Sequence, residues 1–241
     1  WTLDDHDPEA FHKKGRISVE YATPDYFGIP FDCLYSVNVP NLMFAGRDIS
    51  CTHMGLSATR VMATTALLGQ ACGTGATVAI EKGVSPAEVR ARYITEVQDM
   101  LEDDDCMLPY RWRKPYPLTL SASVPEGCEV LRNGIDREWD GADNGVWVTP
   151  GEESVVYSWK KPVVLSGARL VFDSHFKVRS KRMRKLEATT ERVVMPPMMP
   201  KGFRIEAKTQ KGWQSVYEEH ENYLRLRKVT FPTIQASALR L

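Results

Sequence analysis

The chain has 241 residues, with 31 Lys and Arg balanced by 31 Asp and Glu; 43% of its residues are hydrophobic and 26% charged. That composition is globular, too apolar for a disordered chain, and the 16 Gly and 15 Pro follow no period. Zero net charge argues against a protein that works chiefly by gripping nucleic acid or an anionic membrane. The length suits one large or two small domains, and charge divides it: residues 1–109 sum to −8 and residues 110–241 to +8. The halves are therefore expected to be two domains with different surfaces, 1–109 and 110–241.

Five cysteines (Cys33, Cys51, Cys72, Cys106, Cys128) form no CxxC pair and no Cys/His cluster. Neither a disulfide framework nor a zinc or iron–sulfur site is expected, and the compartment, cytoplasmic or periplasmic, stays open. The chain starts Trp1-Thr-Leu-Asp-Asp-His6 and is expected to be part of a longer protein, any targeting segment lying upstream.

Residues 1–40 read as irregular and rich in Asp, Tyr, Phe and Pro, a long functional loop or the tail of another element. His6, beside Asp4, Asp5 and Asp7, is expected in a solvated loop, since four near-adjacent residues cannot all face one metal ion without a turn. Asn41-Leu-Met-Phe-Ala-Gly46 reads as a short buried strand, followed by a polar turn through His53 and a long helix from about Ser57 to Lys82. Val61 to Ile80 carries no charge over 20 residues, the length of a membrane span. Its threonines, Gln70 and glycines weaken insertion, and Ala63, Ala66, Gly69, Gly73 and Ala76 form a ridge on which a buried helix could lie close to a sheet. No membrane span is expected. Gly83 is a C-cap, and Ser85-Pro86-Ala-Glu88 is a capping box opening a second helix with Val89, Tyr93, Val97 and Leu101 on one face. Glu102-Asp-Asp-Asp105 closes it as a solvated acidic turn.

From Tyr110 the pattern changes. Pro115, Pro117 and Pro125 punctuate a linker, and short strands follow: 154–159, 167–173, 203–207 and 236–241, with a turn at Lys211-Gly212. Their alternation predicts an all-β sandwich. The basic run from Lys177 to Lys185 reads as a solvated loop.

The informative piece is the expected strand–turn–helix over 41–81. A helix starting near Ala58 or Thr59 would aim its free N–H groups and positive dipole end at the carboxyl end of the strand, where open α/β sheets bind ligands. Gly55 would admit a close ligand, and Arg60 in the first turn would add a cation. Ile29-Pro-Phe-Asp-Cys-Leu34, Asn41 to Ser50, Thr52-His53, Ser57 to Met62 and Gly69 to Gly75 together resemble the C-terminal flavin-binding motif of bacterial FAD-dependent oxidoreductases. The family has Tyr-Arg where this chain has Phe31-Asp32, and commonly Ala where Cys51 stands. The resemblance implies the C-terminal portion of an FAD-binding α/β (Rossmann-type) domain. It further implies FAD contacts at Gly46, Arg47, Asp48, Ser50, Ser57, Thr59, Arg60 and Val61, with His53 and Arg60 as catalytic candidates. His53 would be a proton relay or a shaper of the turn, and Arg60 would stabilise charge on reduced flavin or bridge the crevice. Cys51 is expected as a small buried side chain.

No GxGxxG follows a strand in these 241 residues; Gly73-Thr-Gly75 lies within the helix. The chain alone is therefore expected to hold FAD poorly or not at all, with an upstream segment or another chain completing the site. Residues 110–241, through Asn133-Gly-Ile-Asp136, Trp147, Tyr157-Ser-Trp159, Gly212-Trp213 and the closing Leu239-Arg-Leu241, resemble discoidin-like (galactose-binding-like) sandwiches, a jelly-roll module. The fold class is thus α+β and multidomain. The function implied is hydride or electron transfer between FAD and an unknown organic substrate, a carbohydrate-related one being a candidate. The alternatives are a carbohydrate- or partner-binding sandwich mounted on a non-catalytic flavoprotein remnant, and a remnant with no ligand of its own.

Overall fold

The structure, a computed structural model, describes residues 2–23, 26–149, 151, 154–174, 195–196 and 198–241. Two compact units divide it, Trp1–Arg113 and Lys114–Leu241. Its elements are a mixture of helices and antiparallel sheets.

The first unit opens on an antiparallel pair, β1 (Leu3–His6) and β2 (Ser18–Tyr21), registered Leu3 to Tyr21. His6 and the two aspartates before it therefore stand on a strand, not in the solvated loop expected. A 3-10 turn, Phe31–Leu34, precedes the stretch that the sequence marks as a strand. That stretch is reduced to one bridge, Tyr35 with Met43, flanked by Ser36 N–H to Leu42 O at 2.9 Å and Phe44 N–H to Leu34 O at 2.8 Å. Pro40 stands in the turn between the two arms, which the Leu42 N–H closes on the Val39 carbonyl at 3.1 Å.

The long helix is two helices, α1 (His53–Thr59) and α2 (Met62–Lys82). Thr52 caps α1 by accepting the Gly55 N–H at 3.1 Å, which starts the helix five residues before Ala58. Val61, extended at φ −75° and ψ 146°, separates the two and serves α2 as an N-cap with no side-chain hydrogen bond. Gly83, at φ 64°, ends α2 in the left-handed conformation expected of a C-cap.

The capping box at Ser85 and Glu88 is formed in both directions and opens α3 (Pro86–Glu88), which runs through a π turn, Val89–Tyr93, into α4 (Ile94–Asp103). Val89, Val97 and Leu101 are buried with Phe31, Leu34, Leu68 and Val78 in one core, as the helical spacing predicts. Phe31 lies on Gly75: a Cβ there would stand 2.5 Å from the ring, so α2 can seat the aromatic only at a glycine.

The ridge assignment on α2 does not hold. Ala63, Ala66, Gly69 and Gly73 are exposed, and the helix buries Leu68, Gly75, Val78 and Ala79 instead. The aromatic seat at Gly75 fixes which face turns inward. Among the described residues no helix is long and apolar enough to cross a membrane. The acidic turn is also corrected in part, because Glu102 is buried and ion-paired to Arg111, Nε to Oε1 at 3.1 Å.

The second unit is built on a four-stranded antiparallel sheet ordered β3–β6–β4–β5. Its strands are β3 (Val156–Val171), β4 (Phe203–Thr209), β5 (Gly212–Glu219) and β6 (Leu226–Arg240). The two short strands expected over 154–173 are one long strand with register shifts after Ser158 and Leu165. At Gly167 the partner comes so close that a Cβ would lie 2.6 Å from the Val229 carbonyl. The Lys211-Gly212 turn joins β4 to β5 as predicted. Leu165, Ala207, Phe231 and Ala236 form the core, packed by Trp159, Val163 and Ile234. A short helix, α5 (Pro117–Ser121), starts on a proline at its first turn, and its Leu118 carbonyl accepts the Trp159 indole N–H at 3.0 Å. The basic run Lys177–Lys185 lies outside the described residues.

Candidate functional site

α1 forms one wall of a cleft of about 390 Å³ in the first unit. Gly55, Ala58 and Thr59 come from the helix, Ile49 and Cys51 from the chain leading into it, and Cys33 from the 3-10 turn. Tyr26, Phe27, Ile29, Pro30 and Tyr110 supply an aromatic and apolar wall opposite. The cleft thus takes its apolar side from Tyr110 and from residues 26–30, within the stretch expected to be irregular, where the run Tyr26-Phe27-Gly28-Ile29-Pro30 is the local signal.

Both catalytic candidates are held by β1. Arg60 Nη2 donates to the Asp4 carboxylate at 3.0 Å and to the Asp4 carbonyl at 2.9 Å, and the two side chains are about equally half-buried. The same Asp4 carboxylate lies 3.1 Å from His6 Nε2. His53, largely exposed as the first residue of α1, places Nε2 at 3.2 Å from the neighbouring Asp5 carboxylate. Arg60 is not in a first turn: it is the C-cap of α1, its N–H donating to the Leu56 carbonyl. It also directly precedes Val61, after which the N–H groups of the first turn of α2 begin without a side-chain cap.

The other predicted contacts divide. Thr59 lines the cleft, but its hydroxyl donates to the Gly55 carbonyl at 3.0 Å, and the buried Ser57 hydroxyl donates to the Met54 carbonyl at 2.6 Å. Gly46 adopts φ 146°, a conformation that favours glycine, and turns the chain into Arg47, Asp48 and Ser50, all three exposed. The Ser50 N–H donates to the Cys33 carbonyl at 2.9 Å, which ties this turn to the cleft floor. Asp48 lies close enough to α2 to help burial push the Cys72 thiol up. Asp4 and Asp5, the partners of the two candidate catalytic side chains, were missed because their approach spans about fifty residues of sequence.

The substituted pair in the motif has a local explanation. Phe31 fills the seat over Gly75, and Asp32 accepts the Tyr35 hydroxyl at 2.7 Å and the Arg90 guanidinium at 2.9 Å. Those two bonds, the tyrosine's first, hold the Asp32 carboxyl below the usual range. Cys51, expected buried, is exposed. Among the described residues no group of three or more His, Cys, Asp or Glu is placed to hold a metal ion.

In the second unit Trp147 is 69% exposed, whereas the Trp213 ring is covered by Arg240, whose guanidinium carbon lies 4.3 Å from its centroid.

No curated protein matches the chain significantly. Among solved structures, chitosan-binding module 1 derived from the chitosanase/glucanase of Paenibacillus sp. IK-5 is 13% identical, covering 52% of this chain and 83% of its own, with a TM-score of 0.32. SpGH29 is 15% identical over 66% of this chain and 29% of its own, with a TM-score of 0.33. A family model for FAD dependent oxidoreductases matches residues 1–101, the stretch that holds β1, α1, α2 and nearly all of the cleft wall. The first unit is therefore similar over most of its length to an FAD-dependent oxidoreductase region.

Proposed function

We propose that residues 1–113 form part of the flavin site of an FAD-dependent oxidoreductase acting on an organic substrate. The observation that carries this reading is the family match over residues 1–101, which spans α1, α2 and the uncapped helix end between them. An electron-rich group fits that end: backbone N–H groups there lack a side-chain partner, and Arg60 stands directly before them. Arg60 and Val61 would lie against the cofactor there, with Thr59 and Ser57 shaping α1 behind them. Gly46, Arg47, Asp48 and Ser50 would meet it along the preceding turn. Bound FAD would supply a two-electron acceptor. The chain's own residues would supply the rest: Arg60 a cation whose strength Asp4 trims, His53 a proton carrier oriented by Asp5, and the apolar cleft a water-poor space beside them.

The ion pair gives the test a sign. In the flavin-loaded protein, Arg60→Met removes a cation and is expected to lower the flavin reduction potential. A loss of about 1–2 kcal/mol corresponds to roughly 20–40 mV for two electrons. Asp4→Asn releases Arg60 from its carboxylate and is expected to raise the potential. Potentials that stay within a few millivolts in both variants would make the pair purely structural.

A second reading concerns residues 114–241. Trp147 and Tyr223 expose 69% and 67% of their surface, and exposed aromatic faces are the surfaces on which sugar rings stack. The reading makes this unit a carbohydrate-binding module of the discoidin-like sandwich type. Binding on a glycan array that disappears in Trp147→Ala and Tyr223→Ala supports it; identical binding by wild type and variants contradicts it.

A further inference from the structure

Two cysteines 18 positions apart in sequence line the same cleft. Cys33 sits in the 3-10 turn Phe31–Leu34, and Cys51 immediately precedes Thr52, the cap of α1. The hydrogen bond from the Ser50 N–H to the Cys33 carbonyl at 2.9 Å pins the chain entering Cys51 to the peptide of Cys33. On its other side Cys51 packs against Gly55, where a Cβ would lie 3.6 Å from its own. Both thiols are free, Cys51 exposed and Cys33 half-buried. The surrounding wall is apolar and aromatic, from Tyr26, Phe27 and Ile49 to Tyr110.

We propose that Cys33 and Cys51 are a reactive dithiol that reduces small apolar or aromatic disulfides entering this cleft. The exposed Cys51 is the attacking thiol. Its thiolate bonds to one sulfur of the disulfide, the substrate's S–S bond breaks, and the first leaving thiolate takes up the proton that Cys51 released. Cys33 then attacks the Cys51 sulfur, the mixed disulfide breaks, and the second leaving thiolate takes up the proton of Cys33. The protein loses two electrons as a Cys33–Cys51 disulfide, and the substrate gains them as two thiols. Burial first, then the charge of Cys51 and Asp32, pushes the Cys33 thiol up. The second step therefore accelerates as pH rises and the Cys33 thiol ionises.

The chemistry needs only these 241 residues, whatever cofactor the protein carries. One equivalent of 4,4′-dithiodipyridine, a neutral aromatic disulfide, is added to the reduced chain, and released thiopyridone and remaining thiols are counted. The expected result is about two equivalents of thiopyridone per reagent and a fall from five free thiols to three. Tryptic cleavage after Arg16, Arg47 and Arg60 puts Cys33 and Cys51 on separate peptides, so the product is read as one cross-linked pair. Cys33→Ser is expected to stop at a stable thiopyridyl adduct on Cys51 with half the release. A single thiopyridone with a persistent adduct in the unsubstituted chain would overturn the proposal, as would a cross-link between any other cysteines.

Discussion

Asp136→Ala is expected to destabilise residues 114–241 by about 3–5 kcal/mol, the cost of breaking a buried ion pair from one side. Arg169, whose side chain is 5% exposed, donates to the Asp136 carboxylate at 2.8 Å. Arg225 reaches the same residue through its carbonyl, and donates to the Phe172 carbonyl at 3.0 Å. Asp136 thereby fastens the loop Asn133-Gly-Ile-Asp136 to the end of β3 and to the start of β6. Truncating it takes a carboxylate away from a buried guanidinium. The double variant Asp136→Leu/Arg169→Met, which removes both charges and keeps much of the volume, should recover most of the loss. Urea unfolding followed by tryptophan fluorescence checks both. A single variant within about 0.5 kcal/mol of the parent would mean that the pair does not hold the loop.

Arg111→Met is the corresponding experiment in the first unit, with an expected cost of about 3 kcal/mol. Arg111 serves two carboxylates: Glu102 at 3.1 Å, whose side chain is 4% exposed, and Asp99 in direct contact. Removing the cation takes the Arg111 charge away from the buried Glu102 carboxylate. The pH dependence has a definite sign. Without the guanidinium, burial favours the protonated carboxyl, so the folded variant takes up a proton more readily than its unfolded chain. The destabilisation is then largest at neutral pH and shrinks as pH falls through the raised folded value. A stability difference between parent and variant that stays constant from neutral to acid pH would contradict the burial of that charge.

What the sequence made legible were features written within a few residues. The capping box at Ser85, the C-cap at Gly83 and the Val89–Val97–Leu101 face each follow from local spacing, and each is present. The break at Val61 is not legible, since Arg60-Val61-Met62 contains neither glycine nor proline; Thr52, whose cap starts α1 at His53, lies in what the sequence presents as a polar turn. The inward face of α2 was misjudged because small residues occur on both sides of the helix. The Phe31 ring seats on Gly75 on the buried side, and that contact spans more than forty positions. The same limit applies to the candidate site. His53, Arg60 and Thr59 were named from the motif, while Asp4, Asp5, Tyr26 and Cys33 reach them only through the tertiary fold. Glu102 was grouped with three aspartates by composition, although the arginine nine positions later withdraws it from solvent.

The central claim is that the first unit serves a flavin. The most direct measurement is the flavin content of the protein isolated from the cells that make it, released by heat and separated chromatographically. Stoichiometric FAD is the predicted result, with amide exchange at Met62 to Thr64, the amides ahead of the first Thr65 N–H to Val61 O bond of α2, slowing when the flavin is present. Protein that carries no flavin as isolated, takes up none when FAD is supplied, and shows unchanged exchange at the start of α2 would contradict the account.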